Sequence, residues 1–154
     1  MTTRKPREGT LLRIDLGDGT AAFARVLANS QVALYSYRQP AGERLLLPLV
    51  YGSPRLWTLT VMKSALTAGS WQVVDHRPLE PDLTRPVEYF MRDRANGEFS
   101  VYRSNDGHMR PSTYAECRGL EAAAVWEAEH VESRLRDHFA GRVNTWEQQL
   151  KAPG

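Results

Sequence analysis

The sequence predicts an α+β fold: an antiparallel, strongly bent β-sheet or partial barrel with one long C-terminal helix packed on it. Three observations carry that expectation. Apolar and polar residues alternate along short runs from residue 11 to about residue 103, the period of half-buried strands. Glycine- and asparagine-containing pairs punctuate these runs at hairpin spacing. From about Gly119 the period lengthens, and Ala124, Ala128, Val131, Leu135 and Phe139 fall on one helical face. Strands first and a helix last put the helix on a sheet face.

Taken in order, Leu12, Ile14 and Leu16 alternate with Arg13 and Asp15, and Gly17-Asp18-Gly19 supplies the positive φ angles of a tight hairpin. A return strand passes through Phe23 and Val26. Asn29-Ser30 makes a second turn, after which Val32, Leu34 and Ser36 alternate with Ala33, Tyr35 and Tyr37 and complete a meander. Pro48 and Pro54 lack the N–H that a central ladder needs, so residues 45–55 stay out of the sheet interior. Residues 56–62 alternate again, and residues 63–68 form a single helical turn ended by Gly69. A further strand over 71–74 stops at Arg77-Pro78. Beyond a proline-marked loop, residues 87–91 and 99–102 pair as a hairpin around Asn96-Gly97, which Asn105-Asp106-Gly107 ends. Thr113 and Glu116 have capping-box spacing. The helix, over about 119–140, is closed by Gly141, with Glu132 and Arg136 placed to pair at i, i+4.

A chain of 154 residues with 42% apolar content fits a single domain, 1–154, with one sizeable core. Cys117 stands alone, which excludes an internal disulfide and suggests no zinc cluster; it reads as a small buried residue. The longest apolar run, residues 45–51, is far too short to span a bilayer and contains a proline. The basic N-terminus leads into no secretory-type apolar run, so a soluble, cytoplasmic protein is expected. A net charge of +2 is too small to argue for nucleic acid. The charge is unevenly spread: residues 1–113 carry net +4 and residues 114–154 net −2. Between Glu116 and Glu132 five glutamates face one arginine, a pattern that suits a solvated helix face or one turned to a partner.

No catalytic motif stands out, and no catalytic residue, metal ligand or cofactor is expected. Glu127 and His130 stand at i, i+3, which could hold a metal, but no second such pair and no His-Glu-x-x-His motif accompanies them. Gly52-Ser53-Pro54 reads as a turn and not as a nucleophile elbow. Tyr37-Arg38 and Tyr102-Arg103 would suit single strands, but neighbours on a strand point to opposite faces. Helical geometry singles out Glu121 within the apolar stripe, so its carboxylate is predicted to be partly buried and paired with Arg25 or Arg13 of the sheet. Trp126 projects away from that stripe. Either it covers a second surface of the core, or it stands outward as an aromatic anchor within the acidic rim of Glu127, Glu129 and His130, facing a partner. With Trp126 in the core, the loops 38–55 and 76–86 become the alternative docking surface.

Several short pieces, taken together, resemble the bacterial immunity protein 26 family over about Glu8 to Trp146. They are the opening Gly9, Leu16-Gly17-Asp18-Gly19 and Ala24-Arg25-Val26, then Ser70-Trp71-Gln72-Val73 after the short helical turn. Late in the chain come Gly119-Leu120-Glu121, Val125-Trp126, His130-Val131, Arg134-Leu135 and Asp137-His138-Phe139. The resemblance implies a cytoplasmic immunity protein that binds a cognate polymorphic toxin tightly and neutralises it without turnover. The family label has also been attached to a phosphotriesterase. That implies an alternative, phosphotriester hydrolysis, for which Glu127, His130 and His76 or His108 are the residues on offer. A nucleic-acid-binding module is the second alternative. Antitoxins of nuclease toxins are often acidic, and this chain is not, which leaves the toxin class open. The resemblance specifies neither a binding face nor an oligomeric state.

Overall fold

Gly17 and Gly19 take φ of 74° and 88°, and the Asp18 carboxylate accepts the Thr20 N–H at 3.0 Å. The chain therefore folds back tightly between β1 (Thr10–Asp15) and β2 (Thr20–Val26). Asn29 and Ser30, at φ 60° and 59°, turn it again into β3 (Gln31–Pro40). After α1 (Leu47–Tyr51), β4 (Arg55–Val61) completes an antiparallel meander. The turn α2 (Lys63–Thr67) then leads to β5 (Trp71–His76), which pairs with β1 at the other side of the sheet. The computed structural model describes residues 5–151. Register shifts at Leu11/Leu12, between Ala22 and Ala24, and at Leu34/Tyr35 interrupt the β1–β5, β2–β3 and β3–β4 ladders, while the β1–β2 ladder is continuous. Each bulge bends its strand, and the sheet curls strongly without closing.

A second sheet grows from the hairpin β6 (Glu88–Arg92) and β7 (Phe99–Arg103), which turns at Asn96-Gly97 as expected. Asn105-Asp106-Gly107 leads on to a further strand, β8 (Met109–Ser112). This strand is short, largely exposed and carries Pro111, so alternation could not announce it; such residues are at home on an edge.

The C-terminal third departs from the expected helix. The capping box of Thr113 and Glu116 forms, but it caps only α3 (Tyr114–Cys117). Gly119 then adopts φ 83°, which ends any helical continuation. Residues 121–126 are extended. Within them β9 (Glu121–Ala122) lies parallel to β6 and β10 (Val125–Trp126) lies parallel to β4. This segment stitches the two sheets together. The long helix, α4 (Ala128–Ala140), begins nine residues later than its periodicity suggests, and α5 (Thr145–Leu150) follows it. Alanine favours helix, yet the open edges of β4 and β6 offer residues 121–126 hydrogen bonds, and those win over local propensity. Gly141 closes α4 in the left-handed conformation, as expected. The Glu132–Arg136 pair does not form: Glu132 accepts from the Trp71 indole at 2.9 Å, and Arg136 donates to the Leu16 carbonyl at 2.8 Å.

The first sheet is covered on both faces. Val131 and Leu135 of α4 pack with Leu12, Leu34 and Leu59 on one face, while Val50 of α1 packs with Leu11, Phe23 and Tyr35 on the other. Two-sided burial is why β1 to β3 are nearly continuous runs of buried residues.

Candidate partner-binding surface

The acidic end of α4 is one of the surfaces that the sequence offers to a partner, beside the loops 38–55 and 76–86. Glu127 precedes the helix and Glu129 lies in its first turn, both exposed, where the helix dipole favours negative charge. The Glu127 carboxylate stands 3.9 Å from the Nε2 of His130. Trp126 is not beside them on the surface. It sits on β10, 4% exposed, among the core residues packed under α4, so it cannot present an outward anchor. The core alternative for Trp126 thus holds and Glu121 is partly buried as expected, although the helical projection that suggested both does not apply, because neither residue is helical.

Another tryptophan stands in its place. Trp146 of α5 stacks on His130 with ring centroids 3.8 Å apart and planes 21° from parallel, and it remains 39% exposed. Asn144 sets this geometry. Its side-chain oxygen caps α5 by accepting the Glu147 N–H at 3.0 Å, while its amide donates to Ser133 at 3.1 Å and Asp137 at 2.9 Å. The start of α5 is thereby pinned to the middle of α4. The sequence signal for α5 is an asparagine followed three residues later by glutamate, easily missed in a helix of six residues.

Beneath this surface lies a buried ion cluster. Arg134 is 1% exposed and donates to both oxygens of Glu121, at 2.7 and 3.0 Å, and to Glu147 at 3.1 Å. Its guanidinium lies 3.9 Å from the ring centre of Trp57 and 5.2 Å from that of Trp126. Its Nε has no hydrogen-bond partner. Glu121 is half-buried and arginine-paired, yet its partner comes from α4 and not from the sheet. Arg25 and Arg13 are engaged elsewhere, the latter with the Ala41 carbonyl.

Arg25 organises the opposite face of the first sheet. It is fully buried and donates to the carbonyls of Gly9 (2.9 Å), Arg77 (2.8 Å) and Pro78 (3.0 Å), to the Tyr35 hydroxyl (3.2 Å) and to Glu80 (3.0 Å). Every one of its N–H groups has an acceptor. Burial alone would raise the Glu80 carboxyl. Hydrogen bonds from its own backbone N–H and from Arg77, with the Arg25 charge, outweigh burial and hold it below the ordinary value. Beside it, Tyr51 donates to Asp75 at 2.7 Å under the Arg77 guanidinium, 3.8 Å from its ring centre; burial first, then Asp75, pushes its phenol up. An arginine inside the apolar run 21–27 was the sequence signal for this cluster.

The residues considered for hydrolysis do not assemble. The Nε2 of His76 is 3.0 Å from the Glu8 carbonyl at the end of β5, and His108 lies in an exposed turn. Among the described residues no three His, Cys, Asp or Glu side chains are placed to hold a metal ion. Cys117 is buried, and burial raises its thiol. No helix of the described residues is long and apolar enough to cross a membrane.

The fold thus defines an α+β protein with an open, bent sheet covered on both faces and an aromatic–acidic surface at its C-terminal helices. A family model described as Immunity protein 26 matches residues 7–101, 95 of the 154 residues. The chain belongs to the immunity protein 26 family. No curated protein and no solved structure matches it. The matched stretch contains the Arg25 cluster and ends in β7, so the late pieces of the resemblance, and the α4–α5 surface with them, lie beyond it.

Proposed function

We propose that this protein is a cytoplasmic immunity protein that binds and neutralises a cognate bacterial toxin, and that the toxin contacts the α4–α5 surface. Family membership supports the first half. The observation that carries the second is the Trp146–His130 stack: a large aromatic face held rigid yet 39% exposed, with Glu127 and Glu129 nearby. A preordered tryptophan loses little conformational freedom on docking and buries much apolar area, as interface anchors do. Glutamates around it would speed the encounter with a basic patch. Its position beyond the matched stretch suits a surface that selects one partner while the sheet carries the common fold.

The test is to co-express the protein with a toxin found encoded beside its gene and then to measure affinity. Trp146→Ala is expected to weaken binding by about 2 kcal/mol or more, roughly thirtyfold, and to abolish rescue at low expression. The free protein should lose about 1 kcal/mol or less in urea, because Trp146 is 39% exposed and belongs to no buried core cluster among the described residues. Unaltered affinity would remove the surface from consideration and move attention to the loops 38–55 and 76–86. Failure of the unsubstituted protein to rescue or bind any such toxin would remove the function itself.

A further inference from the structure

On the other side of α5 two clefts open into one another. One, of about 280 Å3, is bounded by Trp126, Leu120, Glu121 and Glu147; the other, of about 790 Å3, runs past Ala122 and Ala124 to the β6–β7 turn. They share Phe90, Ala122, Leu150 and Lys151 and form one trench. Phe90, Leu120, Ala122 and Leu150 give it apolar surface among polar groups, and cations stand on its rim. Arg92 at the end of β6, Arg94 of the turn, Arg118 after α3 and Lys151 after α5 line it, and none of the four has an ion-pair partner among the described residues. Two of the three carboxylates of the trench, Glu121 and Glu147, flank Arg134; the third, Asp93, accepts the Ala95 N–H at 2.7 Å and places its negative charge between Arg92 and Arg94. Two of the cations are held on aromatic rings, Arg92 at 5.7 Å from the Phe99 centre and Arg118 at 5.9 Å from that of Tyr114. A guanidinium resting on a ring is already ordered and keeps its N–H edge free for an anion.

We propose that this trench binds an extended, acidic segment of a partner protein, with carboxylates on the rim cations and apolar side chains on its apolar surface. A nucleic acid fits less well. Glu121 and Glu147, each about 30% exposed in the wall, repel a closely spaced phosphate backbone, and Trp126 is too buried to stack a base. Carboxylates on a peptide can be spaced around those two groups. The toxin-binding reading enters only in naming which protein carries the segment; the chemistry of the trench stands without it.

The probe is a short fluorescent peptide alternating leucine and aspartate, compared by anisotropy with its lysine-for-aspartate counterpart and with oligothymidine. The aspartate peptide is expected to bind, the lysine peptide not, and affinity should fall as salt rises from ~50 to ~300 mM. The exposed double substitution Arg94→Glu/Lys151→Glu should weaken binding about tenfold or more with an unchanged thermal midpoint. No binding of the aspartate peptide, equal binding of the lysine peptide, or indifference to the double substitution would overturn the proposal; preference for oligothymidine would overturn it in favour of nucleic acid. Rescue from a toxin is scored separately, so either result can fail without the other.

Discussion

Replacing Arg25 by methionine is expected to remove about 3–5 kcal/mol of stability, enough to unfold a marginal domain at physiological temperature. The side chain is fully buried, and its loss orphans three main-chain carbonyls and the Tyr35 hydroxyl and deprives Glu80 of its buried partner. Arg25 also fastens residues 77–80 to β2, so amide exchange in that segment should accelerate before the rest of the sheet opens. The pH response carries the same signature. Glu80 lies below its ordinary carboxyl value in the folded protein, so its contribution is complete above about pH 4.5 and is lost as pH falls. Without Arg25 the acid limb of the stability curve should be shallower. Urea midpoints at neutral and acid pH measure both effects; a loss below about 1 kcal/mol at neutral pH would show that the cluster is replaceable.

Arg134→Met is expected to cost about 3 kcal/mol. It strands Glu121 and Glu147 beside one another and strips the guanidinium from the Trp57 ring. The figure stays at the lower end of the usual range because both carboxylates are about 30% exposed and regain some water. Glu121→Gln should cost less, about 1–2 kcal/mol, since an amide oxygen still accepts one of the two hydrogen bonds. In the Arg134→Met background the same Glu121→Gln change should cost nothing, or stabilise, by relieving repulsion from Glu147. A double-mutant cycle by urea unfolding decides it: additive losses would mean that the pair contributes no coupling.

Arg25 was visible in the sequence as a charge within the apolar run 21–27, whereas Arg134, set among Glu132, Ser133, Arg136 and Asp137, carried no such signal. That Glu121 needs a cation follows from an acidic residue in an apolar setting. Which cation it takes depends on where the chain runs. Arg134 is thirteen residues ahead and would sit more than three helical turns away on a continuous helix, out of reach. It becomes a neighbour because residues 121–126 are extended and α4 folds back over them. The substitution of Trp146 for Trp126 as the exposed aromatic has the same origin. One wrong secondary-structure boundary moved both residues, and His130, rightly placed on α4, found its ring partner on a helix the periodicity was too short to reveal.

By itself, then, the sequence determined what depends on near neighbours. Gly17-Asp18-Gly19, Asn29-Ser30 and Asn96-Gly97 encode their turns through backbone conformations that few other residues tolerate. Pro48 and Pro54 keep residues 45–54 out of the sheet, with β4 starting at Arg55, because a missing N–H acts within a few bonds. The tertiary structure alone decided whatever was contested between distant groups. Residues 121–126 have alanine-rich helical propensity worth tenths of a kcal/mol per residue. Against it stood unpaired edges on β4 and β6, where each unsatisfied buried N–H or C=O costs about 1–3 kcal/mol. The edges won, the two sheets were joined, and with that junction came the buried Arg134 cluster, the outward Trp146 and the basic trench.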